Sequence, residues 1–299
     1  MNSPARVRTL GAMAPVQLPD HRLADPERRE SAAHYSEIAP APPLRQLIAC
    51  YWQIRSKATA QAPVQHRILP DACMDLLLDL EAWRERGAAA AITFVGTMTR
   101  AMQIELCSRI DLFGIRFRPG GAAALLRSDL HETTDREIPL ADVWTPLPDV
   151  VIEELARTAT LDQRARCVER EVLPRIRAAS RTQAQVERAV RILDSASVVS
   201  VQAAAREIGL SARQFERRFV AAVGLTPAQF RRVRRLRRLL SLQARTPGWS
   251  LAALAAESGY FDQSHLTHEF HALVGVAPSR WLKADSDVAF VQDGQLSVF

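Results

Sequence analysis

Residues 200–230 read SVQAAAREIGLSARQFERRFVAAVGLTPAQF, and residues 250–281 read SLAALAAESGYFDQSHLTHEFHALVGVAPSRW. One pattern of size and chemistry occurs in both stretches, 51 positions apart. The matched pairs are Ala204 and Ala255, Phe215 and Leu266, Phe219 and Phe270, Gly224 and Gly275, Pro227 and Pro278, and Phe230 and Trp281. A helical unit that occurs twice predicts two copies of one functional module.

Each copy has the spacing of a helix-turn-helix. In the first copy, Ser200 is placed to cap a helix over residues 201–207, and Gly209 supplies the turn after it. Ser211 is placed to cap a second helix, with Gln214 three residues later as in a capping box. The apolar residues of this helix recur on one face, at Phe215, Phe219 and Val223. We therefore expect that face to be buried.

The opposite face of the same helix is basic and polar. It carries Arg213, Gln214, Arg217 and Arg218. Arginine pairs with guanine edges or phosphates, glutamine pairs with adenine edges, and a short helix fits a major groove. This face predicts contact with double-stranded DNA.

The second copy presents a polar but less basic face behind the capping residue Asp262. Its outward side chains are Gln263, Ser264, Thr267 and His268. Between the copies, Thr226 and Pro227 are placed to start a helix that runs through Arg245. About 18 residues at about 1.5 Å each give a rod of roughly 27 Å, close to the ~34 Å between successive major grooves on one side of a duplex. The spacing predicts that one chain reads two adjacent grooves.

On these residues, the C-terminal part resembles the DNA-binding domain of the AraC/XylS transcriptional regulators. The resemblance covers residues 185–284 and includes the closing run from Gly259 to Pro278. In that family the second helix of each module reads bases. The family pattern, carried over by position, implies that one groove is read by Arg213, Gln214 and Arg217. The next groove would be read by Gln263, Ser264, Thr267 and His268. His268 and His271 stand where the family usually carries Arg and Lys, so we expect weaker reading by the second module.

A plain helical bundle with a solvated charged face would contain the same residue types, and the charge distribution favours DNA binding over it. Residues 185–284 hold 15 Arg and Lys against 7 Asp and Glu, whereas the rest of the chain holds 24 against 26. The net charge of +6 is therefore concentrated in the proposed DNA-binding region. Within that region, the arginine run 231–238 on the linker helix is open to two interpretations, phosphate contact or contact between the modules.

Residues 31–145 have a different pattern, with short β-rich runs separated by Pro and Gly. The predicted strands are 50–55, 66–69, 74–80, 92–95, 102–106 and 112–117. Six short strands predict a small antiparallel β-barrel or sandwich, and the whole chain is expected to be α+β. Residues 1–30 lack periodicity and are predicted to be disordered, and residues 285–299 are predicted to be a C-terminal tail.

This β-rich region resembles the N-terminal sensor domains that precede AraC-type DNA-binding domains. The resemblance rests on residues 67–71, 74–76, 94–96 and 114–121. It implies a small-molecule effector or a dimer contact. The candidate effector-binding residues are Tyr51, Trp52, His66, Asp75 and Arg116. A structural role is the alternative for each, since Asp71 after Pro70 suits a turn and Arg116 can balance Asp75 inside the barrel.

Residues 146–184 are predicted to be helical, with a break at Pro174. These helices are expected either to pair two protomers or to pack against the barrel. The four cysteines have no C-x-x-C spacing, so neither a disulfide framework nor a zinc site is indicated, and we interpret them as small buried apolar residues.

No enzymatic motif is evident. A cupin-type metal centre needs two or three histidines, yet only His66 lies in the strand-rich stretch. A methyl-accepting DNA-repair protein needs clustered, activated cysteines near its N-terminus, and no cysteine precedes Cys50. The sequence therefore predicts a non-enzymatic, cytoplasmic regulator of transcription with no metal or cofactor. Its expected partners are promoter DNA, a small-molecule effector, RNA polymerase and a second copy of the chain. The alternative is an architectural or repair-associated DNA-binding protein whose N-terminal domain serves only oligomerisation.

Overall fold

The computed structural model describes residues 8–9, 34–56, 64–87, 92–106, 110–126, 129–143, 147–158, 160–175, 181–195 and 200–283. Within these ranges the chain is mostly β-strand up to residue 139 and mostly helical from residue 149 onward. This agrees with the α+β class expected from the sequence.

Two antiparallel sheets form the N-terminal part. The larger sheet contains β2 (His34–Ile38), β3 (Ile48–Ser56), β5 (Met74–Asp79), β6 (Ile92–Val95), β8 (Ile110–Phe117) and β9 (Glu137–Pro139), in the order β2-β3-β8-β5-β6-β9. The smaller sheet contains β1 (Arg8–Thr9), β4 (Val64–Ile68) and β7 (Met102–Leu106), in the order β1-β7-β4.

The two sheets pack face to face through a small apolar cluster. Trp52, Ile54 and Leu112 of the larger sheet and Ile104 of the smaller sheet are each at most 7% exposed. Because side chains alternate between the two faces of a strand, the same strands also send residues to the other side of the larger sheet. The arrangement is an open sandwich and not a closed barrel.

The opposite face of the larger sheet is covered by helices α2 (Asp149–Arg157) and α3 (Leu161–Val172). Leu155 and Val168 of these helices are fully buried in one core with Tyr51 and Phe113 of the sheet. Of the two arrangements expected for the 146–184 segment, packing against the β-domain is therefore the one observed. Pro174 lies in a 3₁₀ turn just after α3, consistent with the expected break.

A buried ion pair fastens α3 to the sheet. The Arg164 side chain is fully buried, and its guanidinium donates to both carboxylate oxygens of Asp111, at 2.7 and 2.9 Å. Arg84 of α1 (Leu80–Arg86) reaches the same carboxylate at 3.1 Å. Although burial opposes ionisation, the hydrogen bonds and charge of Arg164 hold the pKa of Asp111 below its usual value. The helix is thus joined to the sheet by polar as well as apolar contacts.

The C-terminal part consists of seven described helices. They are α4 (Arg181–Asp194), α5 (Val201–Glu207), α6 (Ala212–Val223), α7 (Pro227–Arg245), α8 (Leu251–Ser258), α9 (Gln263–Val274) and α10 (Pro278–Lys283). Ser211 forms the expected capping box, and Asp262 caps α9 through the His265 amide, as the sequence indicated. Thr226, which the sequence indicated only as a cap, forms a full capping box as well. The aromatic residues Phe215, Phe219 and Phe230 pack together in the core, with ring centroids 5.4–5.7 Å apart in successive pairs.

Several sequence-based expectations need correction. Leu80 was expected at the end of a strand, but Asp79 ends β5 by capping α1 through the Ala82 amide. Strands β2 and β9 were not expected. Arg8–Thr9, which belongs to the segment predicted to be disordered, pairs with β7. The rest of residues 1–30 and the predicted tail 285–299 lie outside the described residues.

Three of the four cysteines are described, and all three are free thiols. Cys167 is buried, and Cys50 and Cys73 are half-buried. Burial raises the pKa of Cys50 to about 12 and that of Cys167 to about 11. Because the thiolate is the reactive form, these pKa values favour the structural interpretation of both residues.

Candidate nucleic-acid interface

Helix α6 is the second helix of the first helix-turn-helix module. Its apolar face is buried, since Phe215 and Phe219 are each 1% exposed. On the opposite face, Arg213 and Arg217 are both exposed to solvent. Two arginines, one turn apart on a capped helix, give a surface that matches the guanine edges and phosphates of a major groove.

The other two predicted reading residues of α6 have contacts within the protein. Arg218 is half-buried, and its guanidinium donates to the Gln185 side-chain oxygen of α4 at 2.6 Å. Gln214 is exposed, but its side-chain oxygen accepts from the Ser211 amide at 3.2 Å in the capping box. Its amide nitrogen remains the group available to a base. Arg218 is therefore placed to support the module rather than to extend from it.

Helix α9 occupies the corresponding position in the second module. Gln263, Ser264 and His268 are exposed, in agreement with the expected outward face. Thr267 is half-buried, and its hydroxyl donates to the Gln263 carbonyl at 2.9 Å.

The two modules differ by one residue in the turn. The caps Ser200 and Ser250 of the first helices are 50 positions apart, whereas the caps Ser211 and Asp262 of the second helices are 51 apart. The structural counterpart of Ala255 is consequently Ala205 and not Ala204, because each accepts the same turn hydrogen bond, from the amide five residues later. The 51-residue spacing holds for the second helices but is wrong for the first.

The arginine run of α7 is largely used inside the protein. Arg235 forms a salt bridge with Glu269 of α9 at 2.7 Å, and Arg232 reaches the same carboxylate at 3.2 Å. Arg234 pairs with Asp194 of α4 at 2.6 Å, and Arg238 donates to the Asp194 carbonyl at 2.8 Å. For these four arginines the structure favours contact between helices over phosphate contact.

The C-terminal end of α6 is held by the β-domain. The Thr97 hydroxyl donates to the Val223 carbonyl at 3.3 Å, and the Thr134 hydroxyl donates to the Gly224 carbonyl at 2.7 Å. A ring nitrogen of His131 lies 3.3 Å from the same Gly224 oxygen. These groups pair with carbonyls that a helix end leaves without partners.

The C-terminal end of α9 is held by the same part of the β-domain. The Ala101 amide donates to the Leu273 carbonyl at 2.6 Å, only four residues beyond Thr97. Asp135 steadies this segment by accepting from the Thr99 amide and hydroxyl, at 2.7 and 2.6 Å. One loop of the N-terminal part, residues 97–101, thus contacts both of the helices expected to read DNA. We call it the bridging loop.

Three of the predicted effector residues lie together between the sheets. The Trp52 indole donates to Asp75 at 2.7 Å, and the Arg116 guanidinium lies 3.2 Å from Asp75 and 3.6 Å from Asp71. Gly114 lies against the indole, because a Cβ there would come within 2.0 Å of the ring. Burial disfavours the charged form of Arg116, but the carboxylates of Asp75 and Asp71 outweigh this and raise the pKa of Arg116 far above its usual value. The cluster is internally paired, which favours the structural alternative.

The other two predicted effector residues occupy other positions in the two sheets. Tyr51 lies on the opposite face of the larger sheet, where its ring stacks on Phe113 at 6.2 Å between centroids. His66 is in β4 of the smaller sheet, paired with Ile104. Neighbouring positions in a strand face opposite sides, and for this reason the predicted pair Tyr51 and Trp52 is separated. Asp71 accepts from the Cys73 amide at 2.8 Å, as expected of a turn residue.

No group of three metal-ligating side chains occurs among the residues that the structure describes. No described helix is both long and apolar enough to cross a membrane.

Comparisons with known proteins agree with the division of the chain into an N-terminal β-rich part and a C-terminal helical part. Residues 204–284 match a family model described as a helix-turn-helix domain, and residues 36–139 match a domain of unknown function (DUF6597). No curated protein matched the chain.

Similar solved structures include several of ToxT from Vibrio cholerae. ToxT from strain O395 has a TM-score of 0.39 at 11% identity, covering 87% of this chain and 100% of that chain. Unsaturated fatty acid bound ToxT from strain SCE256 has a TM-score of 0.37 at 13% identity, covering 74% of this chain and 90% of that chain. The chain carries a DUF6597 domain in residues 36–139, followed by an AraC-type helix-turn-helix domain in residues 204–284. The helix-turn-helix domain is of the class found in DNA-binding regulators of transcription.

Proposed function

We propose that this protein is a sequence-specific regulator of transcription that reads two successive major grooves with α6 and α9. The observation that carries the proposal is the exposed pair Arg213 and Arg217 on a helix whose other face is buried and whose N-terminus is capped. Such a helix is rigid before it meets DNA, so little backbone entropy is lost when the arginines bind base edges.

The second reading surface is proposed to consist of Gln263, Ser264, Thr267 and His268. It is supported by the exposure of three of these side chains and by the salt bridge of Glu269 with Arg235, which fixes α9 to α7. Helix α7 has 19 residues, and at about 1.5 Å per residue it spans roughly 28 Å between the modules. That span suits readers placed about one helical turn of DNA apart.

The N-terminal domain is proposed to sense a small effector and to transmit its presence through the bridging loop. This is supported by the hydrogen bonds of Thr97, Thr134 and Ala101 to the ends of α6 and α9. A ligand that changes the position of this loop biases both readers together. We propose the cytoplasm as the compartment in which this function operates.

Selection of preferred duplexes from a randomised pool tests the proposal. We expect the full-length protein to bind its selected duplex at least about 10³-fold more tightly than random DNA at physiological salt. Protection of two patches about 10 base pairs apart is also expected. Equal affinity for all sequences would instead indicate the architectural alternative, and protection confined to one turn of DNA would rule out a second reading helix.

A further inference from the structure

The turn of the second module contains an additional residue, and that residue is Phe261. The amides of Leu210 and Tyr260 make the same turn hydrogen bond, to Ala205 and Ala255 respectively. In the first module the next residue is already the cap of α6. In the second module, Phe261 stands between Tyr260 and the cap of α9. Tyr260 is 5% exposed, whereas Phe261 is 91% exposed.

The backbone beneath Phe261 is firmly held. Its amide donates to Nδ1 of His265 at 3.2 Å, and Asp262 accepts from the His265 amide at 2.7 Å. The preceding residue, Tyr260, packs its ring edge-on against His265 and receives the Arg235 guanidinium 5.5 Å from its centroid. The exposed phenyl ring is therefore presented from a fixed position, which lowers the conformational entropy lost on binding.

Phe261 also lies at the end of the module that approaches DNA. It comes two residues before Gln263, the first residue of α9, and Gln263 and Ser264 are both exposed. In helix-turn-helix proteins the N-terminal residues of the second helix contact the base edges. Single exposed apolar residues are common on protein surfaces, but few of them stand at the entrance to a groove.

The major groove offers one prominent apolar group, the 5-methyl group of thymine, which apolar side chains including phenylalanine contact. We propose that Phe261 packs on the methyl group of a thymine in the groove entered by α9 and gives the second module a thymine preference. This inference rests on the proposed function. It also supplies an apolar contact to a helix that has few charged side chains to offer.

Replacement of thymine by deoxyuridine removes only that methyl group and therefore tests the contact directly. In the duplex selected by the wild-type protein, each thymine of the half bound by α9 is replaced in turn. At one position we expect the wild-type protein to lose affinity by about fourfold, the ratio corresponding to one buried methyl group. Phe261→Ala should be insensitive to the replacement at that position, and Phe261→Leu should remain sensitive.

Val150→Ala is the matched control, because Val150 is an exposed apolar residue, 67% accessible, on α2 of the N-terminal part. It should respond to deoxyuridine as the wild-type protein does. The inference is overturned if Phe261→Ala is as sensitive as the wild-type protein, or if it loses affinity equally on all duplexes. Unchanged DNA binding with lost transcription from a reporter would also overturn it, since the ring would then bind a protein.

The proposed function is tested before any Phe261 variant is made. If the wild-type protein selects no preferred duplex, the proposed function fails. If it selects one and only the Phe261 result is negative, the thymine contact alone fails.

Discussion

Replacement of Gly224 by alanine should weaken the attachment of the β-domain to α6, the first of the two proposed reading helices. Gly224 has φ +79° and follows the last residue of α6. A Cβ there would lie 2.4 Å from the Thr97 hydroxyl and 3.1 Å from the Thr134 hydroxyl. The same two hydroxyls hold the carbonyls at the end of α6. Relief of the clash therefore requires the Thr97 hydroxyl to move away from the Val223 carbonyl, and it presses on the Thr134 hydroxyl as well.

Gly275 provides a matched control at the end of α9. It has φ +83°, and a Cβ there would meet no atom within 4 Å. Gly275→Ala should thus cost only the backbone strain, about 1–2 kcal/mol of unfolding free energy. Gly224→Ala has the same strain and in addition loses contacts to buried carbonyls, at about 1–3 kcal/mol. We expect Gly224→Ala to be the less stable variant by that difference.

Denaturant unfolding of both variants measures the difference, and titration with the selected duplex shows its effect on DNA binding. Gly224→Ala should alter the affinity for the selected duplex, whereas Gly275→Ala should leave it near the wild-type value. Addition of Thr97→Ala to Gly224→Ala removes the closest clash and should recover part of the lost stability. Equal destabilisation by the two glycine variants, or no recovery in the double variant, would refute the coupling described here.

Further outcomes are expected from four single substitutions. Arg217→Ala should cost about 1–3 kcal/mol of DNA-binding free energy and remove the preference for one base in a binding selection. Arg218→Ala should lower the free energy of unfolding and leave the selected base preference unchanged. Asp111→Asn should cost about 3–5 kcal/mol by unpairing the fully buried Arg164. The pKa of Asp111 in the folded protein is held below the unfolded value of about 3.9. Its ionised form therefore contributes fully to the free energy of unfolding at neutral pH, and this contribution is lost as the pH falls through the folded pKa. Acid unfolding of the wild-type protein should show this loss of stability, and Asp111→Asn should lack it. Glu269→Gln should loosen α9 from α7 and weaken binding to the second half of the selected duplex, and a loss in the first half alone would contradict this.

The helical part of the fold was predictable because its signals are local. Ser211, Thr226 and Asp262 act as caps within four residues of the sites they stabilise, and the apolar period of each helix was evident in the sequence. The extra residue in the second turn was missed. Its signal was present in the 50-residue spacing of Ser200 and Ser250, against 51 for the second caps.

The sites in the β-domain were less predictable, because they depend on which face each residue occupies and on contacts distant in sequence. Tyr51 and Trp52 are adjacent in sequence but lie in different cores. Likewise, Thr97 and Thr134 meet Val223 and Gly224 across 90 or more positions, and no local pattern indicates such a contact. Arg218 has the same residue type as the exposed Arg217, and the partner that fixes its position, Gln185, is 33 residues away in sequence.

All the hydrogen bonds of the bridging loop and Thr134 to the two reading helices are accepted by main-chain carbonyls, those of Val223, Gly224 and Leu273. Gly224 itself has no room for a side chain, but a main-chain carbonyl does not depend on the side chains that α6 and α9 present outward. The outward residues of α6 and α9 can therefore diverge among relatives without loss of this attachment. Under the proposed function, the base preference of α6 and α9 is therefore free to change while the contact of these helices with the β-domain is kept.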